Sequence, residues 1–544
     1  MCGICGVIGL GDVERTCERM LKHPNMVARG PDDRISISSC RSAIGMTRLS
    51  IVGIADGKQP FVQGKVRCVV NGEIYNHGQL SQRHGFQLQT ASDCEVVLHM
   101  FLKYGAQGIQ HLDGFFAVAV AYDDSIYLFR DLYGKKPLYI GRKASQVLFS
   151  SSLHALREQE AQGIMSVPPG HLLEVEVFTL KVRSKRYALP PFCRLGFRPN
   201  VQLDEGHLKH LIKQAVSKRV LMAEVPVAVW LSGGLDSAIV TIIAKEFVKE
   251  VHTFSVGFRG DLDMLHAREL AEQLGTVHHE CVITVKDFVD VYGEAVEACG
   301  YASYPVNAMV KTTLLGKACA DKGFKVILVG EGADELFGGY DYFAPYRGRP
   351  WEMFIQRRKA MMSLSASELI RVDRVSMHSS LEARAPFMDT ELVQYVMSLK
   401  SEVFNHVNSY SKQILRKMFA NEDNWSVLYR AKSFPALQRV EAAISARLKI
   451  PCPAEYEQYN FFKRGLNGQY SSYDKRILWG VQCALKNSSF NKLYHDDAFY
   501  GPEFAEMPWY LLLPRVIKDM LTRDKKHVLR GLYSCKRVLQ QIRV

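Results

Sequence analysis

The stretch Leu231-Ser232-Gly233-Gly234-Leu235-Asp236-Ser237 decides the fold of the second half of this chain. It joins an apolar, β-branched segment, 225–230, to a second apolar segment, 238–245. The pattern predicts a buried parallel strand before the stretch and a helix after it. Glycine permits the sharp turn between them and lets the backbone approach a ligand closely. Free amides at the helix start and the hydroxyls of Ser232 and Ser237 predict a phosphate-binding turn.

The full string S-G-G-L-D-S is far more specific than a pair of glycines. It is not the Walker pattern, which needs G-x-x-x-x-G-K-[ST]. It resembles the pyrophosphatase loop of ATP-dependent enzymes that adenylate a carboxylate or carbonyl and release pyrophosphate. The resemblance implies that Asp236 holds Mg²⁺ on the pyrophosphate, since a hard cation that bridges phosphates takes carboxylate oxygens.

The composition is that of an ordinary globular protein, with 47% hydrophobic and 23% charged residues among 544. This length predicts two or three domains of roughly 150 residues each. A net charge of +13 fits either a nucleic-acid partner or a site that holds anions. Because the basic residues thicken only near the end, at 523–530, we expect an ATP-binding enzyme without a nucleic-acid partner.

Thirteen cysteines without a paired framework predict free thiols in a reducing cytoplasm. No stretch reaches the roughly 20 uninterrupted apolar residues of a membrane span. The N-terminus also lacks a basic segment followed by an apolar one. We therefore expect neither a membrane contact nor a secretory signal.

The first residues, Met1-Cys2-Gly3-Ile4-Cys5-Gly6, allow two interpretations. Cys2 and Cys5 form a C-x-x-C, but a metal site needs a second ligand pair, and no second C-x-x-C occurs in the chain. The alternative depends on position, because a small residue after Met1 favours removal of the methionine. Cys2 would then carry an α-amine with a pKa near ~8, which can accept the thiol proton and make Cys2 a nucleophile.

Four polar clusters further along the chain favour the nucleophile. They are Ala28-Arg29-Gly30-Pro31-Asp32, Arg48-Leu49-Ser50-Ile51-Val52, Asn71-Gly72-Glu73-Ile74-Tyr75-Asn76-His77 and Ser92-Asp93-Cys94-Glu95. Together with M-C-G-I-x-G, these clusters resemble the class II glutamine amidotransferase domain. The resemblance implies an N-terminal-nucleophile αββα sandwich, in which two antiparallel sheets stack, over residues 2–185.

The same resemblance implies a role for each cluster in glutamine hydrolysis. Cys2 attacks the side-chain amide of glutamine, forms a thioester and releases ammonia. The Asn71 side chain and the Gly72 N–H form the oxyanion hole, where the loss of one donor costs ~10²–10³ in rate. Arg48 pairs with the α-carboxylate, which its planar fork suits. The other glutamine contacts are Glu73 and Asp93 at the α-amino group, and the backbone of Leu49, Ser50, Ile51 and Val52.

Residues 183–205, rich in Arg, Pro and polar types, predict a linker. Beyond it strands alternate with helices, which predicts an α/β domain with a parallel, doubly wound sheet. Ligands of such sheets bind beyond the carboxyl ends of the strands. One strand, 326–329, runs into Gly330-Glu331-Gly332-Ala333-Asp334-Glu335. Its carboxylates repel one another unless a cation lies among them, which favours ligand contact over a solvated turn.

The asparagine synthetase family carries G-E-G-[SA]-D-E at this point, and the chain resembles that family up to about residue 435. The resemblance implies that Asp334 joins Asp236 on Mg²⁺-pyrophosphate, and that Glu331 faces the acyl-adenylate. Lys432 matches the lysine that stabilises the negative charge of adenylate formation. The implied ATP contacts are Leu231, Ser232, Gly233, Gly234, Leu235, Asp236, Ser237, Val256, Val329 and Gly330. The synthetase domain is expected over 206–440, followed by a basic, mainly helical region over 441–544.

Two such halves imply that ammonia from glutamine passes inside the protein to a β-aspartyl-adenylate. The products would be asparagine, AMP, pyrophosphate and glutamate, and a homodimer is a family expectation. The acceptor stays open, because segment 302–309 lacks the arginine of the family's T-T-x-R-A-S and has Asn307 near its place. An amidotransferase that acts on a sugar acid, a peptide or a natural-product precursor is therefore an alternative.

Two other classes of protein fit the residues less well. A β-lactam-forming synthetase shares the second domain but usually lacks the terminal cysteine, whereas Cys2 is present here. A nucleic-acid binder built on a degenerate enzyme fold would be expected to lose Asp236, Asp334 or Lys432, and all three are retained.

Overall fold

Apolar segments of the first half of the chain form the strands of two antiparallel sheets. The computed structural model describes residues 2–300, 306–404 and 411–420, with the backbone alone at 306 and 307. The strands are β1 (Cys2–Gly9), β2 (Asp33–Ser38), β3 (Ser42–Arg48), β4 (Phe61–Gln63), β5 (Val66–Ile74), β6 (Gly114–Tyr122), β7 (Ser125–Arg130), β8 (Tyr139–Lys143), β9 (Gln146–Ser150), β10 (Gln162–Ser166), β11 (His171–Glu176) and β12 (Val182–Arg186). One sheet has the order β10-β8-β9-β1-β3-β2 and the other β12-β11-β7-β6-β5-β4.

The two sheets pack face to face, and helices cover their outer faces. Ile4 and Phe149 of the first sheet share a buried cluster with Ala117 and Leu173 of the second. The helices are α1 (Val13–Lys22), α2 (Pro24–Arg29), α3 (His77–His84), α4 (Glu95–Tyr104) and α5 (Leu153–Glu158). Helices α1 and α5 contribute to a cluster with the first sheet, while α3 and α4 contribute to a cluster with the second. The predicted αββα sandwich is confirmed.

The second half alternates strands and helices, as its sequence predicts. Its strands are β13 (Val227–Trp230), β14 (His252–Phe258), β15 (Val277–Ile283), β16 (Val326–Leu328) and β17 (Glu382–Arg384). Its helices are α6 (Glu205–Leu221), α7 (Leu235–Ala244), α8 (Leu262–Leu274), α9 (Val285–Cys299), α10 (Val306–Asp321), α11 (Ala333–Phe337), α12 (Pro350–Ser363), α13 (Glu368–Met377), α14 (Thr390–Ser398) and α15 (Gln413–Phe419). The expected region 441–544 lies outside the described residues.

The strands of the second half form one parallel sheet in the order β15-β14-β13-β16-β17. The chain moves outward from β13 to β14 and β15, and then returns to the other side of β13 to form β16 and β17. The direction therefore reverses between β13 and β16, where α/β sheets open a crevice for ligands. The doubly wound sheet is confirmed, and both predicted ligand loops leave strands beside this reversal.

Buried, charged side chains join the two halves of the chain. Arg29 of α2 donates from Nη1 to Asp373 Oδ2 of α13 over 2.8 Å, and these side chains are 5% and 0% exposed. Arg29 also donates from Nε to the carbonyl of Cys2 over 3.1 Å. A single guanidinium thus links α13 of the second half to the strand that begins with Cys2.

Candidate active site

Strand β13 ends in a tight turn that is held by one serine. The Ser237 Oγ donates to the carbonyl of Gly234 over 3.0 Å and accepts from the Ser232 N–H over 3.1 Å. Gly233 has φ +74°, and a Cβ there would lie 2.1 Å from the carbonyl oxygen of Asp263. A side chain is therefore excluded at Gly233 by both conformation and space. Helix α7 starts at Leu235, directly behind the turn.

The predicted metal ligands lie around a single cation. The Lys412 Nζ is 2.6 Å from Asp236 Oδ2 and 2.5 Å from Asp334 Oδ1. Asp236 and Asp334 are the second residues of α7 and α11, so both carboxylates stand at the carboxyl edge of the parallel sheet. Burial alone would lower the pKa of Lys412, but the two carboxylates raise it above its ordinary value. The arrangement can hold a cation between oxygens from two separate loops.

Close packing at the strand ends brings these loops together. A Cβ at Gly330, which follows β16, would lie 2.9 Å from the Cβ of Asp236. The N–H of Leu231 donates to the carbonyl of Phe254 over 2.8 Å, and that of Val329 to the carbonyl of Arg384 over 2.9 Å. The backbone of Leu231 and Val329, which is predicted to flank the nucleotide, is therefore held by hydrogen bonds to the neighbouring strands of the sheet.

Glu331 is held by an arginine rather than left in solvent. Arg371 of α13 donates from Nη2 to Glu331 Oε1 over 3.4 Å, and its Nη2 lies 2.5 Å from Glu368 Oε2. Its Nη1 donates to Thr312 Oγ1 of α10 over 3.1 Å. Burial raises the pKa of Glu331, while the Arg371 cation opposes the rise. Arg371 therefore links the carboxylate of Glu331 to Thr312 of α10.

In the first half, Cys2 stands at the start of β1 and pairs in register with Arg48 of β3. The N–H of Cys2 donates to Asn71 Oδ1 over 3.1 Å, and Asn71 Nδ2 donates to Ser151 Oγ over 3.3 Å. Cys2 is 7% exposed and Asn71 is fully buried. Burial raises the pKa of the Cys2 thiol, whereas the amino terminus, the Leu49 N–H and Arg48 act in the opposite direction. The predicted nucleophile and oxyanion donor are adjacent.

The side chain of Arg48 organises the loop that follows it. Its Nη2 donates to the carbonyl of Gly53 over 2.5 Å and to that of Val52 over 3.3 Å, and its Nη1 donates to Asp33 Oδ2 over 3.1 Å. The Ser50 N–H donates to Asp32 Oδ2 over 2.7 Å. The predicted glutamine-binding stretch, residues 48–52, is therefore a turn held by hydrogen bonds from the Arg48 guanidinium.

The carboxylates expected at the α-amino group of glutamine are both deeply buried. Asp93 Oδ2 accepts from the Ile74 N–H over 2.7 Å, and burial raises the pKa of Asp93 despite that bond. Glu73 Oε1 accepts from Lys136 Nζ over 3.1 Å. Burial and the neighbouring Glu382 raise the pKa of Glu73 to about 7, with Lys136 opposing. Glu73 follows Gly72 in β5, and Asp93 accepts from Ile74 of the same strand, so the structure groups these predicted residues.

Comparison with known proteins agrees with both halves of this geometry. The asparagine synthase family model matches residues 207–369 and 355–448, and the glutamine amidotransferase domain model matches residues 1–183. An asparagine synthetase [glutamine-hydrolyzing] 2 of Oryza sativa subsp. japonica is 33% identical over 465 residues, which are 79% of this chain and 76% of that protein. The chain belongs to the glutamine-hydrolysing asparagine synthetase family.

A second asparagine synthetase matches the chain over the same extent, whereas a solved structure matches about half of it. An asparagine synthetase [glutamine-hydrolyzing] of Sandersonia aurantiaca is 32% identical over 463 residues, covering 79% of this chain and 86% of that protein. Among solved structures, a glutamine phosphoribosylpyrophosphate amidotransferase from B. subtilis covers 52% of this chain and 91% of its own, with 15% identity and a TM-score of 0.33.

Several residues of this asparagine synthetase site were not singled out from the sequence. No local feature of the sequence shows that the side chains of Lys412, Arg371 and Ser151 contact the candidate site residues. Lys432 and the side chains of 301–307, including Asn307, lie outside the described residues. Within the described ranges, no helix is long and apolar enough to cross a membrane.

Proposed function

We propose that this chain is a glutamine-hydrolysing, ATP-dependent asparagine synthetase that makes asparagine, AMP, pyrophosphate and glutamate from aspartate, ATP and glutamine. The observation that carries the proposal is the pairing of two sites in one chain. A buried terminal cysteine contacts an asparagine amide in one half, and two strand-end carboxylates converge in the other. Either site alone would fit a broader class of enzyme.

Glutamine hydrolysis is proposed to begin at Cys2 after removal of Met1. The free α-amine takes the thiol proton, and the thiolate attacks the amide carbon of glutamine. The Asn71 Oδ1 accepts from the nitrogen of Cys2, which fixes the amide next to the nucleophile. With the amide so oriented, Asn71 Nδ2 and the Gly72 N–H supply the oxyanion donors. Arg48, Glu73 and Asp93 then bind the amino-acid end of glutamine, together with the 49–52 backbone.

ATP is proposed to bind along the carboxyl edge of the parallel sheet. The turn at Gly233 and Gly234 presents backbone amides to the phosphates, since helix α7 begins directly behind it. Leu231, Val256 and the 329–330 backbone flank the adenine and ribose. The buried Ser237 holds the turn closed, so the loop is preorganised before the nucleotide arrives.

Asp236 and Asp334 are the proposed ligands of Mg²⁺. Their oxygens already converge on one cation, Lys412 Nζ, and carboxylates are the donors that a hard divalent cation takes. Among the described residues no group of three or more His, Cys, Asp or Glu side chains is placed to hold a metal. Phosphate oxygens and water would therefore complete the ligand set. When bound, Mg²⁺ neutralises charge on the departing pyrophosphate.

The acyl-transfer end of the site is proposed to centre on Glu331. Arg371 holds its carboxylate, and burial raises its pKa, so Glu331 can exchange a proton with the incoming ammonia. Lys432 is proposed to stabilise the adenylate phosphate. Aspartate is the proposed acceptor because the curated relatives that cover most of this chain are asparagine synthetases. No observation on the described residues favours another carboxylate.

The remaining expectations are part of the same proposal. We propose a glutaminase domain over 2–185, a synthetase domain over 206–440 and a basic extension over 441–544. The cysteine usage of the sequence supports a cytoplasmic location. The homodimer rests on the family resemblance alone.

Pyrophosphate release with ATP, Mg²⁺ and aspartate tests the proposal, with glutamine or ammonium as nitrogen donor. The variant Cys2→Ala should lose at least ~10³-fold of the glutamine-dependent rate and keep the ammonia-dependent rate, because only the first site uses the thiol. Cys40→Ala, at an exposed thiol, is the matched control and should keep both rates. Turnover with a sugar acid or peptide but not with aspartate would contradict the proposed acceptor. Glutamine use by Cys2→Ala would contradict the proposed nucleophile.

A further inference from the structure

Lys412 occupies the position that the proposed metal needs. Its Nζ lies within 2.6 Å of carboxylate oxygens from both Asp236 and Asp334, and its side chain is 6% exposed. A magnesium ion at the same oxygens would require distances of about 2.0–2.1 Å. Two cations cannot share that small space, because their charges repel strongly where water is excluded. Either Lys412 moves or the metal does not bind both carboxylates.

The backbone around Lys412 is specifically shaped to admit its side chain. Lys412 has φ +57° and ψ +35°, a left-handed conformation that is uncommon for a residue with a Cβ. A Cβ at Gly339 would lie 2.0 Å from both Asp334 Oδ1 and Lys412 Cε. Glycine at 339 therefore leaves the space through which the lysine reaches the two carboxylates. Two parts of the chain, one with Asp236 and one with Asp334 and Gly339, converge on this one ammonium group.

A lysine suits a role that requires movement. Its charge is compact and sits on a flexible four-carbon stem, so it can change partner without a change in backbone. Phosphoryl oxygens are the nearest new anions when a nucleotide enters beside the turn at Gly233. If the Lys412 ammonium moves to a phosphate oxygen, the metal can take its place between the two carboxylates. Every charge then remains paired.

We propose that Lys412 is the internal counter-cation of the Asp236–Asp334 pair, and that it transfers to a phosphoryl oxygen of ATP or pyrophosphate when the metal binds. The inference rests on the proposed Mg²⁺-pyrophosphate site. It gives Lys412 one role before the nucleotide binds and another role afterwards. In the nucleotide-free protein Lys412 prevents repulsion between the carboxylates. In the loaded protein it contributes to pyrophosphate binding and gives way to the metal.

Two binding measurements on Lys412→Gln separate this role from a structural one. The first follows Mn²⁺ alone by electron paramagnetic resonance, as a spectroscopic substitute for Mg²⁺. The second follows pyrophosphate in the presence of Mg²⁺ by calorimetry. Without the competing ammonium, Mn²⁺ should bind about tenfold tighter or more, whereas pyrophosphate should bind about tenfold weaker or more. Lys417→Gln, at an exposed lysine of the helix α15 that follows Lys412, should change neither affinity.

Opposite shifts in the two affinities support the exchange, since a general loss of structure weakens both. Unchanged affinities, or a parallel loss of both in a protein with native circular dichroism, overturn it. If Lys412→Gln does not fold, Lys412→Met, which is also neutral and of similar length, takes its place with the same two expectations. Failure of the wild-type protein to bind pyrophosphate with Mg²⁺ would instead contradict the proposed function itself.

Discussion

Replacement of Lys136 tests the buried charge cluster that joins the two halves. The Lys136 Nζ lies 3.1 Å from Glu73 Oε1 of the first half and 4.0 Å from Glu382 Oε2 of the second. These side chains are 0%, 3% and 0% exposed, respectively. Lys136→Met preserves the length of the side chain but removes the charge that lies between these two carboxylates, while Arg384 remains beside Glu382. Breaking a buried pair in this way costs about 3–5 kcal/mol in the free energy of unfolding.

The cost should depend on pH, and its sign follows from Glu73. Burial and Glu382 already raise the pKa of Glu73 to about 7, above its ordinary value, and loss of Lys136 raises it further. A carboxyl group with a raised pKa stabilises the folded state at low pH and loses that stabilisation as the pH rises through the folded pKa. In the wild type this loss is largely complete near pH 7. In Lys136→Met it continues at about 1.4 kcal/mol per pH unit, whereas the wild type loses only about 0.4 kcal/mol more, so the deficit should grow by up to about 1 kcal/mol between pH 7 and 8.

Urea-induced unfolding, followed by circular dichroism at pH 7.0, 7.5 and 8.0, measures both effects. The range ends at pH 8 because burial and Lys136 lower the pKa of Lys135 to about 8, and its titration would add to the signal above that value. Lys185→Met, at an exposed position of β12, is the control and should match the wild type. A destabilisation below about 1 kcal/mol, or a deficit that does not change with pH, would refute the reasoning.

Two further substitutions probe the nucleotide turn and the buried ion pair between Arg219 and Asp389. Gly233→Ala places a Cβ 2.1 Å from the carbonyl oxygen of Asp263 at φ +74°, so ATP-dependent pyrophosphate release should fall at least ~10-fold while glutamine hydrolysis persists; equal loss of both activities would indicate global unfolding instead. Arg219→Met removes the buried partner of Asp389, whose Oδ2 accepts from Arg219 Nη1 over 2.9 Å and also lies 3.3 Å from the more exposed Lys218 Nζ. It should lower the free energy of unfolding by about 3–5 kcal/mol in urea titrations, and a change within about 1 kcal/mol would count against a stabilising pair.

The local elements of the fold could be predicted from sequence, because their signals lie within a few residues of one another. The apolar run before Leu231 and the glycines after it specify a strand, a turn and a helix wherever they occur. The structure places that strand at Val227–Trp230 and starts the helix at Leu235. The family resemblance implied the convergence of Asp236 and Asp334, and it agrees with neighbouring parallel strands that end at one edge of the sheet.

The partners of these carboxylates could not be predicted in the same way. Lys412 lies 176 positions from Asp236, and a lysine in a segment of mixed polarity is far more often exposed than buried between two acids. Likewise, Arg371 reaches Glu331 because α13 packs beside the strand end, a contact that no periodicity encodes. Each of these contacts depends on how elements pack, and not on the residues next to them in the chain.

The sequence by itself determined the fold class, because each motif is a short run whose geometry is local, and its resemblance to known families implied the two chemistries and the residues proposed to carry them. Only the tertiary structure decided how charge is balanced. It placed Lys136 between Glu73 and Glu382 across the two halves, and Lys412 between Asp236 and Asp334. The physical reason is that an ion pair depends on distance in space and on the exclusion of water, and both are properties of the packed molecule.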